Sequence, residues 1–271
     1  MNEVGDGGDA KEGRGERRRF LRTVPLRASL ASPRRCPLGV PERELIHDGL
    51  SEVILALDTA TLVAEARRRS GVIELVPQVG DFFAFGEVLF RLYGGARYVP
   101  DAKLEAAVAF GPERTLEQDP MFAFRILVDI GLKALSPAIN DPTTAVLAID
   151  QVHRLLRIVG QRRLRSEAVR DAGGTVRLIV RTPGWEDFVH ISCREMRACG
   201  ADNVQVARRM AAMLDDLLRL LPAMRRPALE VERELLERAV TAAFPFEEDA
   251  ALARIPDVQG LGGASRSAPS G

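Results

Sequence analysis

The sequence predicts an α+β protein, with a small β-rich, half-barrel-like module over residues 45–100 and a mainly helical domain with one or two inserted strands over 101–255. Three observations carry this. Between Val72 and Tyr93, short β-branched and aliphatic runs are broken by the glycine turns Gly80-Asp81 and Gly86-Glu87. From Leu116 onward, apolar residues recur at helical spacing over long segments. A chain of 271 residues that is 46% hydrophobic has enough apolar material for a core.

Residues 1–44 are rich in Gly, Arg, Asp, Glu and Pro without periodicity, which predicts a disordered leader. The run Arg17-Arg18-Arg19-Phe20-Leu21-Arg22 resembles a twin-arginine export signal, but Pro25 and Arg27 interrupt the apolar stretch that such a signal needs. An aliphatic run over 50–57 leads to Asp58, placed to cap a helix over 59–69 that Gly71 ends. Strands follow over 72–77, 79–85 and 88–93. Their hairpin rhythm resembles that of biotinyl and lipoyl carrier domains, yet no lysine stands between Lys11 and Lys103, so no prosthetic arm can attach and no cofactor is expected.

Between Leu116 and Leu135, Phe122, Ile126, Leu127, Ile130 and Ala134 form one stripe of a helix, and Arg125, Asp129 and Lys133 fall four apart on another face. Pro137 forbids continuation. Asp141 directly before Pro142 has the form of a helix cap with proline in the first turn, and Val146, Ile149, Val152, Leu156 and Val159 give the new helix its buried stripe. A charged linker over 162–174, a strand over 175–181, and helices over 185–199, from Asp202 or Asn203 to Leu221, and over 227–244 complete the order. Residues 256–271, rich in Gly, Ser and Ala toward the end, are expected to be a disordered tail.

The polar elbow between the two central helices is the candidate ligand site: Asn140, Asp141, Thr143 and Thr144, with Arg125 on the preceding helix. Amides at a helix N-terminus hold anions, but Asp141 would occupy those amides itself and repel an anion. A divalent cation held by Asn140, Asp141 and either Glu117 or Asp119 is the other option, since hard oxygen ligands suit magnesium or calcium. No catalytic residue and no metal site is assigned. His190, Cys193 and Cys199 fall short of a four-ligand zinc set, and there is no phosphate-binding glycine loop, dinucleotide fingerprint or nucleophile elbow. Trp185 reads as a packing anchor, and Met210, Met213 and Met224 as core filling. Arg208-Arg209 and Arg225-Arg226 neighbour Asp215, Asp216 and Glu230 and read as solvated faces. Lys plus Arg and Asp plus Glu both number 38, so only local patches could favour an anionic partner, and no nucleic acid is expected. Three cysteines make no disulfide framework and suit a reducing cytoplasm.

Three stretches, ERTLEQDP at 113–120, SPAINDPTTA at 136–145 and PGWED at 183–187, resemble a bacterial family of predicted membrane proteins of unknown function, over about residues 45–255. Family members carry several membrane spans before a soluble part, and no stretch here approaches the roughly 20 apolar residues of a spanning helix. The resemblance implies a non-enzymatic, cytoplasmic regulatory or oligomerisation module, associated with the membrane through a partner or through N-terminal spans missing here. Its partners would be copies of itself or a membrane-embedded protein. The alternative is a small-molecule or metal-binding sensor or enzyme using the Asn140/Asp141 elbow.

Overall fold

The structure, a computed structural model, describes residues 38–164 and 166–261. The export-like arginine run, most of the expected leader and residues 262–271 of the expected tail lie outside them.

The chain opens with β1 (Arg43–Ile46) and β2 (Glu52–Leu57), then α1 (Thr59–Arg68). Asp58 caps α1 by accepting from Thr61 N at 3.0 Å and from the Thr61 hydroxyl at 2.6 Å. After Ser70 at φ 52°, β3 (Gly71–Leu75) starts on a glycine for want of room: a Cβ at Gly71 would lie 2.1 Å from the Ala96 amide nitrogen. β4 (Phe82–Phe83), β5 (Val88–Gly94), α2 (Asp101–Glu105) and β6 (Val108–Gly111) follow. The helical part comprises α3 (Pro120–Ala134), α4 (Pro142–Gln161), α5 (Trp185–Gly200), α6 (Val204–Leu220), α7 (Arg226–Ala243) and α8 (Glu247–Arg254), with β7 (Ala168–Arg170) and β8 (Val176–Val180) inserted between α4 and α5.

The α+β expectation holds, and the strands form two sheets with neither closed into a barrel. One has the order β1-β5-β3-β8-β7 and the other β4-β2-β6. In the larger sheet β3 and β8 pair in parallel, Ile73 opposite Leu178 and Leu75 opposite Val180, while the remaining neighbours are antiparallel. Strands from beyond residue 100 therefore complete sheets begun before it. The described residues from Gly39 onward belong to one unit with two apolar clusters. One cluster joins both sheets and α1 through Ile54, Leu62, Ile73, Phe90 and Leu178. The other fills the helical part with Phe124, Val152, Trp185, Met210, Leu214 and Leu236.

Several details differ from the sequence expectation. α3 begins at Pro120, four residues after the Leu116 bound of the expected helix, because the Gln118 side chain turns away to accept from Leu57 N (3.1 Å) and Asp119 caps the helix at Phe122 N (3.2 Å). The stretch 162–174 is more than a linker. Asp171 accepts from Gly173 N at 2.9 Å, Thr175 N at 3.1 Å and Arg177 Nε at 2.8 Å, folding β7 back onto β8. α8 went unforeseen: Ala250 and Ala253 are its buried residues, too small to mark a stripe, and Glu247, Glu248 and Asp249 sit in its first turn, where the helix dipole favours negative charge. Residues 256–261 lie against α6, with Asp257 N donating to Arg208 O at 3.1 Å and Gln205 Nε2 to Gly260 O at 2.6 Å.

Candidate functional site

The elbow is built as a helix-to-helix reversal. Ile139 N and Asn140 N both donate to Ser136 O, Asn140 takes φ 48°, a left-handed conformation that asparagine tolerates, and Asp141 N returns to Ala134 O at 2.8 Å. Asp141 then caps α4: one carboxylate oxygen accepts from Thr144 N at 3.1 Å and the other from the Thr144 hydroxyl at 2.5 Å. The Thr144 hydroxyl, followed by its amide, holds the Asp141 carboxyl below the usual carboxylate range. Both oxygens thus have partners inside the first turn. Asn140 and Thr143 are exposed beside it.

Arg125 is elsewhere. Two turns and more before the end of α3, roughly 14 Å along the axis, it bridges Asp129 (2.7 Å from Nε) and Glu195 of α5 (2.8 and 3.1 Å). Glu195 first and Asp129 second raise its pKa further, so it is a committed cation that ties α3 to α5. The proposed cation partners of Asp141 are also distant. Asp119 caps the opposite end of the 15-residue α3, roughly 22 Å away along the helix, and its carboxylate is buried between Phe122 N, Arg114 and the Gly80 backbone. One ion cannot bridge the two caps. Among the described residues no group of three or more His, Cys, Asp and Glu is arranged to hold a metal.

The densest polar constellation is one the sequence reading passed over. Asp150, His153 and Arg157 follow one edge of α4 at spacings of three and four, and Arg209 and Asp216 face them from α6. The pairing partners climb together along both helices, so α4 and α6 run parallel. Arg209 Nε donates to Asp150 at 2.6 Å and Arg209 Nη2 lies 3.1 Å from His153 Nδ1. His153 Nε2 lies 2.9 Å from Asp216, which also takes Arg157 at 3.3 Å and Arg219 at 2.6 Å. A guanidinium only donates, so His153 Nδ1 accepts and Nε2 carries the proton. Burial above all, with the charge of Arg209, lowers the His153 pKa against the opposing hydrogen bond to Asp216, so the imidazole is neutral at pH 7. Burial pushes the Asp216 carboxyl up, but His153, Arg157 and Arg219 outweigh it and leave it low.

This seam clamps two helices and is not set up for acid–base chemistry. The one imidazole lone pair is taken by Arg209, and the C-terminal segment covers the same arginine: Gly260 sits so close that a Cβ would lie 2.5 Å from Val146 Cγ1 and 3.3 Å from Arg209 Cδ. Arg208 is 1% exposed and donates from Nε to Ile255 O at 3.0 Å. The expectation of a solvated Arg208-Arg209 face is therefore corrected, since the segment 255–261 buries both. Met224 is corrected too: it is 78% exposed, whereas Met210 and Met213 fill the core. The space between Leu127, Ile149, Ser192, Met196 and Met210 has no room for water, and Ser192 Oγ donates back to Phe188 O. Burial pushes the Cys193 thiol far up and leaves it unreactive, while Cys199 and His190 are exposed. A signal for the seam was available, because Asp150 and His153 each directly follow a residue of the buried stripe, Ile149 and Val152.

Fold and site together define an α+β protein whose capping residues and buried charges join elements. Residues 28–216 match the family described as Predicted membrane protein (DUF2254), and the chain belongs to that family. It is 31% identical over 220 residues to uncharacterized protein Rv1290c of Mycobacterium tuberculosis and equally to uncharacterized protein Mb1321c of Mycobacterium bovis, matches covering 76% of this chain. The chain spans only 40% of the length of these relatives. No solved structure matches it.

Proposed function

We propose that this chain is the extramembrane, cytoplasmic module of a membrane protein, acting in regulation or self-association and not as an enzyme. Two facts frame the reading: the family is one of predicted membrane proteins, and no helix among the described residues is long and apolar enough to cross a membrane. Free Cys193 and Cys199 fit a reducing compartment.

The observation that carries self-association is the outer face of α3 and α4. Ile126 and Ile130, one turn apart on α3, Ile139 at the elbow and Leu147 and Ile158 on α4 are between 37% and 57% exposed. Asp129 and Lys133 are exposed on α3 and Arg154 on α4, so the face carries both signs of charge. A second copy related by a two-fold axis would cover the apolar residues and match the charges. Light scattering and sedimentation velocity test this. A concentration-dependent dimer that Ile130→Glu and Leu147→Glu abolish without changing the circular dichroism is expected. A clean monomer at high concentration overturns it.

A further inference from the structure

We propose that the end of the bundle where α4 and α6 finish and turn into α7 is the surface by which this chain lies against an anionic lipid bilayer, a proposal that rests on the membrane-protein reading above. The elements meet there by direct contacts. Arg225 Nη2 donates to Arg162 O at 3.1 Å, Trp185 Nε1 donates to Arg225 O at 2.8 Å, and the Arg225 guanidinium lies 5.4 Å from the Trp185 ring centroid. A Cβ on Gly160 would meet Leu221 at 2.5 Å and Trp185 at 3.1 Å, so the end of α4 is pressed onto both.

From this rigid base the turn after α6 presents apolar residues to solvent: Leu220 at 39%, Met224 at 78%, and Pro222 and Ala223 between them, also exposed. Exposed guanidiniums surround them on each converging element, Arg157, Arg162 and Arg163 from α4 and its end, Arg219 from α6 and Arg226 from α7. The acids here are largely engaged. Asp215 pairs with Arg233, Asp216 with His153, Arg157 and Arg219, and Asp187 accepts from Gly184 N, while Glu186 and Glu230 are exposed. Charge near helix C-termini explains Arg219 by dipole alone. It gives no reason for a bare methionine and leucine among the arginines.

An interfacial lipid contact explains both. Guanidiniums bind headgroup phosphates while short apolar side chains reach the boundary of the acyl region. A second exposed apolar tip has the wrong sign for this partner. Leu50, Phe85 and Phe82 at the start of β4 project from adjoining segments, joined by Gly86 N to His47 O at 2.9 Å, but their neighbours are Asp48, Glu52, Asp81 and Glu87.

Flotation of the full chain with vesicles of phosphatidylcholine, alone or mixed with phosphatidylglycerol, tests the assignment. Binding to the mixed vesicles only, weakening as salt rises, is expected. Each guanidinium withdrawn from an anionic surface weakens binding roughly fivefold, so Arg162→Glu with Arg163→Glu and Arg226→Glu should abolish flotation, and Met224→Glu should reduce it. Arg17→Gln with Arg18→Gln and Arg19→Gln should leave most binding intact. Unchanged Trp185 fluorescence and circular dichroism confirm that the variants are folded. Absence of flotation, flotation of the Arg162/Arg163/Arg226 variant at the level of the unaltered chain, or loss only on altering the N-terminal arginines or Phe82 and Phe85, overturns the proposal. Light scattering on the same samples separates this failure from failure of the self-association reading, because Arg162 and Arg163 lie roughly 22 Å along α4 from Leu147, whose replacement tests the dimer.

Discussion

Replacing Asp119 with alanine should cost the protein about 1–2 kcal/mol, and the components can be separated. The carboxylate caps α3 at Phe122 N, an interaction worth about 1 kcal/mol in helices generally. The carboxylate is only 4% exposed, but alanine strands no donor, because Phe122 N also donates to the Asp119 backbone carbonyl at 3.2 Å. The ion pair with Arg114, at 3.4 Å to a guanidinium that is 42% exposed, adds little. Asp119→Asn keeps an acceptor at the same place and should cost under about 1 kcal/mol, with the difference marking the cap and not the charge. Urea unfolding at pH 7 followed by circular dichroism measures both, and a constant slope of stability against urea would confirm that only stability changed. A melting temperature lowered by about 2–8 °C for the alanine variant is the thermal counterpart. An alanine variant within about 0.5 kcal/mol of the unaltered protein, or an asparagine variant as weak as the alanine one, would refute the capping argument.

Asp141→Asn should retain the cap of α4, and a melting screen against magnesium, calcium and phosphate should show the same temperatures for it and the unaltered chain. A ligand-induced rise that this substitution removes would instead make the elbow a ligand site. Because His153 in the folded chain titrates below its ordinary 6.5, the unfolded chain binds more protons as pH falls through 6.5. Stability should therefore be level above 6.5 and decline from there down to the folded pKa, and in His153→Gln this part of the decline should vanish; equal slopes in both proteins would contradict the seam geometry. Iodoacetamide under native conditions should modify Cys199 and spare Cys193, as read by mass spectrometry of the two peptides, since of these two Cys199 is exposed and Cys193 buried. Gly131→Val should destabilise by about 2 kcal/mol or more, because even a Cβ there would lie 2.7 Å from Met196 Sδ where α3 crosses α5.

The amino-acid sequence by itself determined the features whose physics is local. Asp58 and Asp141 were legible as caps because a carboxylate before a helical stripe, with proline next in the case of Asp141, satisfies amides within three residues of itself. The long helices were legible because their burial repeats every turn, as in α6 with Val206, Met210, Leu214 and Leu217. What depends on distant chain segments was not. β1 and β6 are four residues long and owe their extended form to partners far along the chain, Leu92 for Arg43 and Leu57 for Val108. Arg125 and the elbow were grouped for their proximity in sequence, and the length of α3 holds them apart. Arg208 and Arg209 were assigned to solvent from the acids beside them, and α4 packed on Arg209 and the return of residues 255–261 over α6 bury them. Local spacing puts His153 at the edge of the buried stripe of α4, but only the tertiary structure brought it between Arg209 and Asp216, because partners 56 and 63 residues away are not encoded in that spacing.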